Sequence, residues 1–385
     1  MTTTFGEQMR ALLAERGVSL RGLAKTIHYD VGYLSKVAND HKVPSLPLAE
    51  LLDSTLKAGG ALVALVRPDA RALTSPAGPS IAHRPTNRVA PELVDYFREQ
   101  LAGHYVADRH LGALRLTPIV SAQYQLLCEL ADEARGALRP AMWALATGYA
   151  AFIGWLYQDG GDLNRSVYWH DVTLERAHRS LDPQLVGFAL HNKAMLYADM
   201  GDGASVVDLA EAALVHESKL CAKVRVLALQ QAAHGRSLMG GADARDECDR
   251  LLDRAAALVE QMDDAYPWGS ACLTPHYLDV QRATCYVRLD VLDEALALWD
   301  QTLPAMSAGA RRDAGVFLAR QAQALAARSE PEQAVEIAGQ VVTLVEETGS
   351  ARMRRELQTL ETRMKPWAKE RPGRQLRAAL GSLRR

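Results

Sequence analysis

The amino-acid sequence predicts an all-α protein, and three observations carry that expectation. Alanine and leucine recur throughout the chain while aromatic residues make up only 6% of it, a balance that favours helix over strand. No run of alternating β-branched residues marks a half-buried strand. Apolar residues instead repeat at helical spacing near the N-terminus, and small residues repeat about every forty positions through the body, the kind of period that signals stacked helical hairpins. At 385 residues and 48% hydrophobic content, the chain is long enough for one small and one large unit, each with a substantial core.

The first informative stretch is 19–39. Leu20, Leu23, Ala24 and Ile27 fall at i, i+3, i+4 and i+7, one stripe of a helix; Val31, Leu34 and Val37 repeat the spacing after His28-Tyr29-Asp30. Ser19 and Asp30 stand where the two helices need N-caps. Ala24 is the small residue at which such helices cross, so the segment predicts a helix-turn-helix, whose second helix is built to enter a DNA major groove. That helix would present Val31, Gly32, Tyr33, Ser35, Lys36 and Asn39. Lys36 can reach a guanine edge or a phosphate, and Val31 can meet a thymine methyl. Arg21, Lys25, Asn39 and Lys42 are candidates for backbone phosphates.

Residues 5–56 resemble a lambda-repressor-like, Xre-type DNA-binding domain. Ser19-Leu20-x-x-Leu23-Ala24 matches the second helix of that family, and Tyr33-Leu34-Ser35-Lys36-Val37 its third. The resemblance implies a first helix with Phe5, Met9, Leu12 and Leu13 inward. It also implies a loop Lys42-Val43-Pro44-Ser45-Leu46 in which Ser45 caps a fourth helix with Leu48, Leu51, Leu52 and Leu56 inward. Two positions depart from the family. His28 replaces the usual turn glycine, where a positive φ is less comfortable for a side chain, and Leu20 replaces a glutamine that commonly contacts DNA.

The net charge of −2 is unevenly spread. Residues 1–45 carry six Lys/Arg against four Asp/Glu, and residues 351–385 carry eleven against three, leaving about −12 on 46–350. A basic end on an acidic body is compatible with a local nucleic-acid footprint, although for 351–385 a solvated closing helix is the simpler expectation. The segment 67–88 holds Pro68, Pro76, Gly78, Pro79 and Pro85 among Ser and Thr. It reads as an extended linker spanning roughly 25 Å. The expected organisation is therefore 1–66 for DNA binding, 67–88 linker, and 89–385 helical repeats.

Within the body a common element recurs: a small residue, then Tyr or Leu three positions on, a short polar turn, and a second helix. Its instances are Gly154-x-x-Tyr157, Ala194-x-x-Tyr197, Gly235-x-x-Leu238, Ala283-x-x-Tyr286 and Ala322-x-x-Leu325. Over about 140–350 this resembles a degenerate tetratricopeptide array, with two leading helices before it and closing helices after 350. The resemblance implies that small residues let paired helices approach, that the tyrosines fill gaps between hairpins, and that the array is an α-solenoid with a concave face. First-helix positions expected on that face are Trp155, Gln158, His191, Met195, Arg236, Arg288 and Gln323, with Asn192 nearby. Solenoid faces of this kind bind peptides or protein segments. An Xre-type domain, linker and degenerate tetratricopeptide array together resemble a class of regulators common in actinobacteria.

Catalytic signatures are missing from the sequence: no phosphate-binding glycine loop, H-E-x-x-H or G-x-S-x-G occurs. His104 and His110 around Asp108, and Trp169-His170-Asp171 with His178, do not have metal-ligand spacing. Cys128, Cys221, Cys248, Cys272 and Cys285 are scattered singly and read as reduced, mostly buried thiols. With neither a signal pattern nor a membrane-length apolar run, a soluble cytoplasmic protein without cofactor is expected. The expected function is sequence-specific transcriptional regulation, non-enzymatic and without membrane contact. The helix-turn-helix would bind double-stranded DNA as a homodimer, and the array would dimerise the chain or sense a peptide or protein. The alternatives are an interaction scaffold with a vestigial helix-turn-helix and an antitoxin-like repressor.

Overall fold

The computed structural model describes residues 4–27, 29–42, 44, 46–66, 89–263, 270–306 and 309–383. All regular structure among them is helical. The expected linker 67–88, the turn residue His28, and Val43 and Ser45 lie outside the described residues. The chain divides into two compact units, Met1–Pro85 and Thr86–Arg385.

The first unit holds α1 (Phe5–Glu15), α2 (Leu20–Thr26), α3 (Val31–Ala38), α4 (Leu46–Thr55) and α5 (Ala61–Val66). Thr4, Ser19 and Asp30 cap α1, α2 and α3, each side chain accepting the N–H three residues on, from Glu7, Gly22 and Tyr33. Each satisfies one of the donors that a helix start leaves free. The helix ends share a second device. The amides of Val18, Tyr29, His41 and Ala58 reach back to the carbonyls of Leu13, Ala24, Lys36 and Asp53, the long-range bond of a Schellman ending. Gly17, Asp40 and Lys57 take positive φ in three of these ends.

Met9, Leu34, Val37, Ala49 and Leu52 are fully enclosed, with Leu23, Ala24 and Leu62 around them. Leu51 departs from the expected core and is 40% exposed. The inward stripe of α4 runs through Leu48, Ala49, Leu52 and then Leu56 beyond its end, which leaves position 51 on the opposite side. Two carboxylates tie the unit together. Asp53 accepts the amides of Gly60 at 2.8 Å and Leu62 at 2.9 Å, at the start of α5; burial opposes its charge, but these N–H groups hold its pKa below the usual value. Asp40 takes the Thr4 hydroxyl at 2.7 Å and the Gly6 amide at 2.8 Å. A Cβ on Gly6 would stand 2.7 Å from the Ala38 carbonyl oxygen, so glycine lets the start of α1 meet the end of α3.

The second unit begins with α6 (Glu92–Leu111) and α7 (Ala113–Glu133). Five hairpins follow: α8 (Leu138–Gly160) with α9 (Leu163–Ser180), α10 (Pro183–Met200) with α11 (Gly203–Leu214), α12 (Ala222–Met239) with α13 (Ala244–Ala256), α14 (Tyr277–Arg288) with α15 (Leu292–Thr302), and α16 (Arg311–Ala327) with α17 (Pro331–Thr348). Helices α18 (Ala351–Arg363) and α19 (Arg371–Ser382) end the chain.

The hairpin turns have one chemistry. Gly161, Gly201, Gly240, Asp290 and Ser329 each adopt positive φ at the turn. In four of the five, the amide that follows bonds to the carbonyl of the recurring Tyr or Leu: Asp162 to Tyr157, Asp202 to Tyr197, Val291 to Tyr286 and Glu330 to Leu325. In the first two turns the next residue, Asp162 or Asp202, caps the second helix. A single Gly-Asp step thus ends one helix and starts another. The small residues of the repeat lie where helices press together. Ala194, Ala283 and Ala322 have no exposed surface. At Gly235 a Cβ would sit 3.0 Å from the Gly203 carbonyl oxygen, and at Gly154 it would sit 2.9 Å from the His170 ring.

Packing between hairpins closes on itself. Helices α8, α10, α12, α14, α16 and α18 pack each on the next, and α18 packs back on α8. Helices α9, α11, α13, α15 and α17 each bridge two neighbours of this set. The even-numbered helices from α8 to α18 therefore form an inner ring. The expectation was an α-solenoid with a concave face; α18 completes the ring through buried Met353, Leu357 and Leu360 and through charges, described below, that lie far apart in sequence.

Candidate functional site

Two surfaces bear on function, one in each unit. On α3 the core stripe of Leu34, Val37 and Ala38 leaves Val31, Gly32, Lys36 and Asn39 exposed, with Ser35 half-buried. Arg21 and Lys25 on α2 and Lys42 after α3 are exposed as well. Tyr33 is half-buried: its ring meets Tyr29 edge-on at 5.5 Å, and the Lys42 ammonium sits 4.5 Å from its centre. The Asn39 amide donates to the Ser35 carbonyl at 2.8 Å, which fixes its side chain along the helix. The nine candidate DNA contacts thus lie on α2, on α3 and just beyond α3; none is fully enclosed. Tyr33 divides its surface between the core and its two neighbours.

In the second unit the inner ring frames a cavity of about 610 Å³, within the range of small-molecule sites. Of the eight residues expected on a concave face, Trp155, His191, Asn192, Met195 and Arg288 line it. Gln158 and Gln323 are buried but do not line it, being engaged by carboxylates: Gln158 donates to Asp199 at 2.7 Å, and Gln323 to Glu356 at 2.8 Å. Arg236 departs from the set. It pairs with Glu211 at 3.0 Å and Glu247 at 3.4 Å, away from the cavity, because its place on α12 faces the acidic stretches of α11 and α13.

Sequence reasoning missed the charges that close the ring. Asp108 on α6 receives Arg312 at 2.6 Å and the Trp155 indole N–H at 3.3 Å. Asp159 on α8 receives the Ser350 hydroxyl at 2.5 Å and lies 3.4 Å from Arg312. Asp199 on α10 receives both Arg352 and Arg355 at 3.1 Å. Burial works against the charge of Asp199, yet Arg352, Gln158 and Arg355 hold its pKa below the ordinary carboxylate value. Arg320 and Gln323 do the same for half-buried Glu356. The basic segment after 350, expected to be solvated, thus turns two arginines inward. The only signal in the sequence was the density of arginine in Ala351–Arg355.

Two cavity histidines are held neutral. Burial lowers the pKa of His191 to about 4, against its Nδ1 contact with the Leu227 carbonyl at 3.2 Å. Burial and the charges of Arg288 and Arg320 push His234 well below its ordinary value. His170, on α9 and outside the cavity, is fully enclosed with neither ring nitrogen hydrogen-bonded. His104 meets Gln123 at 2.6 Å. Among the described residues, no group of three or more His, Cys, Asp or Glu is placed to hold a metal ion, and no helix is long and apolar enough to cross a membrane. None of the five cysteines is in a disulfide among the described residues, and Cys248, Cys272 and Cys285 are buried.

The chain matches no model of a known protein family and has no significant sequence match among curated proteins.

Proposed function

We propose that the protein is a sequence-specific DNA-binding transcriptional regulator. In this reading the first unit is a lambda-repressor-like helix-turn-helix that binds operator DNA, as a homodimer. The second is a tetratricopeptide-like array that dimerises the chain, senses a ligand, or both. The observation that carries the reading is the pair α2 and α3. Each is capped at its start by the residue that the motif requires, and α3 keeps Val31, Gly32, Lys36 and Asn39 free of the core that holds its other side. Such a face can meet base edges while the surrounding Arg21, Lys25 and Lys42 meet phosphates.

The test is an electrophoretic shift of the full chain against a library of genomic fragments at several salt concentrations. A regulator retains a subset of fragments, and its affinity falls steeply as salt rises. Retention of none, at any salt, would overturn the reading in favour of an interaction scaffold whose helix-turn-helix no longer binds DNA.

A further inference from the structure

The arginines around the central cavity are not equivalent. Arg312 is paired with Asp108 and Asp159, Arg320 with Glu356, and Arg352 with Asp199 and Asp313. Arg288 lines the same cavity, and among the described residues it has no carboxylate within ion-pair distance. Its Nη1 contacts only His234 Nδ1 at 3.2 Å and the Ser237 hydroxyl at 3.3 Å. Arg288 is half-buried, so its charge is partly desolvated without a paired carboxylate, an unfavourable state.

The contact with His234 has a further consequence. A guanidinium can only donate, so the imidazole nitrogen facing it must accept. In the neutral ring the proton then resides on Nε2. That nitrogen belongs to a side chain only 6% exposed that lines the cavity, and it makes no hydrogen bond of normal length among the described residues, with only the more distant Gln281 side chain acting on the ring. Gln231, also on the cavity wall and 2% exposed, has an unpartnered Oε1. A buried polar atom left without a partner carries a desolvation cost that a ligand can remove. The cavity is also lined by the aromatic side chains of Tyr105, Phe152, Trp155, Phe188, Tyr277 and Phe317.

We propose that the cavity binds a small amphipathic molecule with one anionic head, the head seated on Arg288 and the apolar body against these aromatic side chains. The anion supplies the counter-charge that Arg288 lacks, and a separate acceptor on the molecule can take the His234 Nε2 proton on the other edge of the ring. A volume of about 610 Å³ inside a closed ring suits a compact molecule. The proposal rests on the sensory reading above for its biological consequence, though the binding itself can be tested without DNA.

The experiment titrates the full chain with two fluorescent probes of the same carbon skeleton. 1-Anilinonaphthalene-8-sulfonate carries an anion, and N-phenyl-1-naphthylamine is neutral. One sulfonate probe should bind per chain, about tenfold or more tighter than the neutral one, as expected for a charge-assisted contact. 2-Naphthoate or 2-naphthyl phosphate should displace it, the better competitor identifying the head as carboxylate or phosphate, and 2-naphthalenemethanol should not. Arg288→Gln should abolish the preference for the anion while neutral-probe binding persists, which also shows that the cavity still forms; Arg288→Lys should retain much of the preference. Equal affinity for the two probes, or an anion preference unchanged in Arg288→Gln, would overturn the proposal. Failure of the DNA assay would leave this result untouched, so the two readings fail separately.

Discussion

Arg352 of α18 donates to Asp199 of α10 across 3.1 Å of space and 153 residues of chain. Arg355 reaches the same oxygen, and Gln158 approaches it from α8. One carboxylate therefore gathers three helices of the inner ring, two of them consecutive and the third from its far end.

Replacing Asp199 tests how much the closure depends on that convergence. Asp199→Ala leaves Arg352 and Arg355 without their shared acceptor in a largely dry setting. A loss of about 3–5 kcal/mol is expected, read by urea unfolding. Asp132, whose side chain is 60% exposed beside Arg139 and Arg179, is the contrast: Asp132→Ala should cost at most about 1 kcal/mol. Similar losses at both positions would mean that the closing pairs are not special.

Gly154 and His170 make a second test. A methyl at Gly154 would meet the His170 ring, which is enclosed and has little room to withdraw. Gly154→Ala should therefore destabilise the chain by about 1–3 kcal/mol. In the background of His170→Ala the same change should cost far less, since the ring is gone. Additive effects in this double-mutant cycle would show that the two residues do not limit each other.

Acid should weaken the second unit before its carboxylates titrate. Burial lowers the folded pKa of His170 to about 3 and of His191 to about 4, against an unfolded value of about 6.5. The unfolded chain thus binds these protons first. The stabilisation is complete above the unfolded pKa and is lost as pH falls from there towards the folded values. At pH 5 each histidine should have given up about 2 kcal/mol. His191→Gln, which keeps an N–H for the Leu227 carbonyl, should reduce the fall in melting temperature between pH 7 and pH 5. An unchanged fall would show that His191 is not among its sources.

On DNA, Lys36 and Lys42 should separate by role. Loss of a phosphate contact lowers the slope of log affinity against log salt by about one and weakens all sequences alike. Loss of a base contact costs about 1–3 kcal/mol and relaxes one position of the site. Lys36 lies on the exposed side of α3, whereas Lys42 is steadied over the Tyr33 ring beyond its end. Lys36→Ala is thus expected to change specificity, and Lys42→Ala the salt slope. Isotherms at four salt concentrations on a selected operator and on one base-substituted variant would show both.

The legible parts of this fold were those written in local chemistry. Ser19 and Asp30 announce their helices because a cap needs only the next three residues. The Gly161-Asp162 and Gly201-Asp202 steps announce their turns because glycine and aspartate each have one local reason to be there. Of the positions that the tetratricopeptide resemblance put on a concave face, Trp155, His191, Asn192, Met195 and Arg288 line the cavity, while Gln158, Gln323 and Arg236 do not, since such a pattern cannot tell an inward polar residue from one drawn away by Asp199, Glu356 or Glu211 and Glu247. The closing set of Asp108, Asp159, Arg312, Arg352 and Arg355 was not legible at all. Each looks like an ordinary charged residue until a partner 150 or more positions away is brought beside it.

The order of these charges along the chain has a consequence during synthesis. Asp108, Asp159 and Asp199 emerge from the ribosome first, and the arginines that neutralise them emerge more than a hundred residues later. At about 5–20 residues per second, Asp199 waits about 8–30 s for Arg352 to be made. Over that interval the nascent hairpins can stack on one another but cannot complete the ring. They leave an acidic, half-built interior, and synthesis through Arg312 and then Arg352 and Arg355 supplies the charges that complete it.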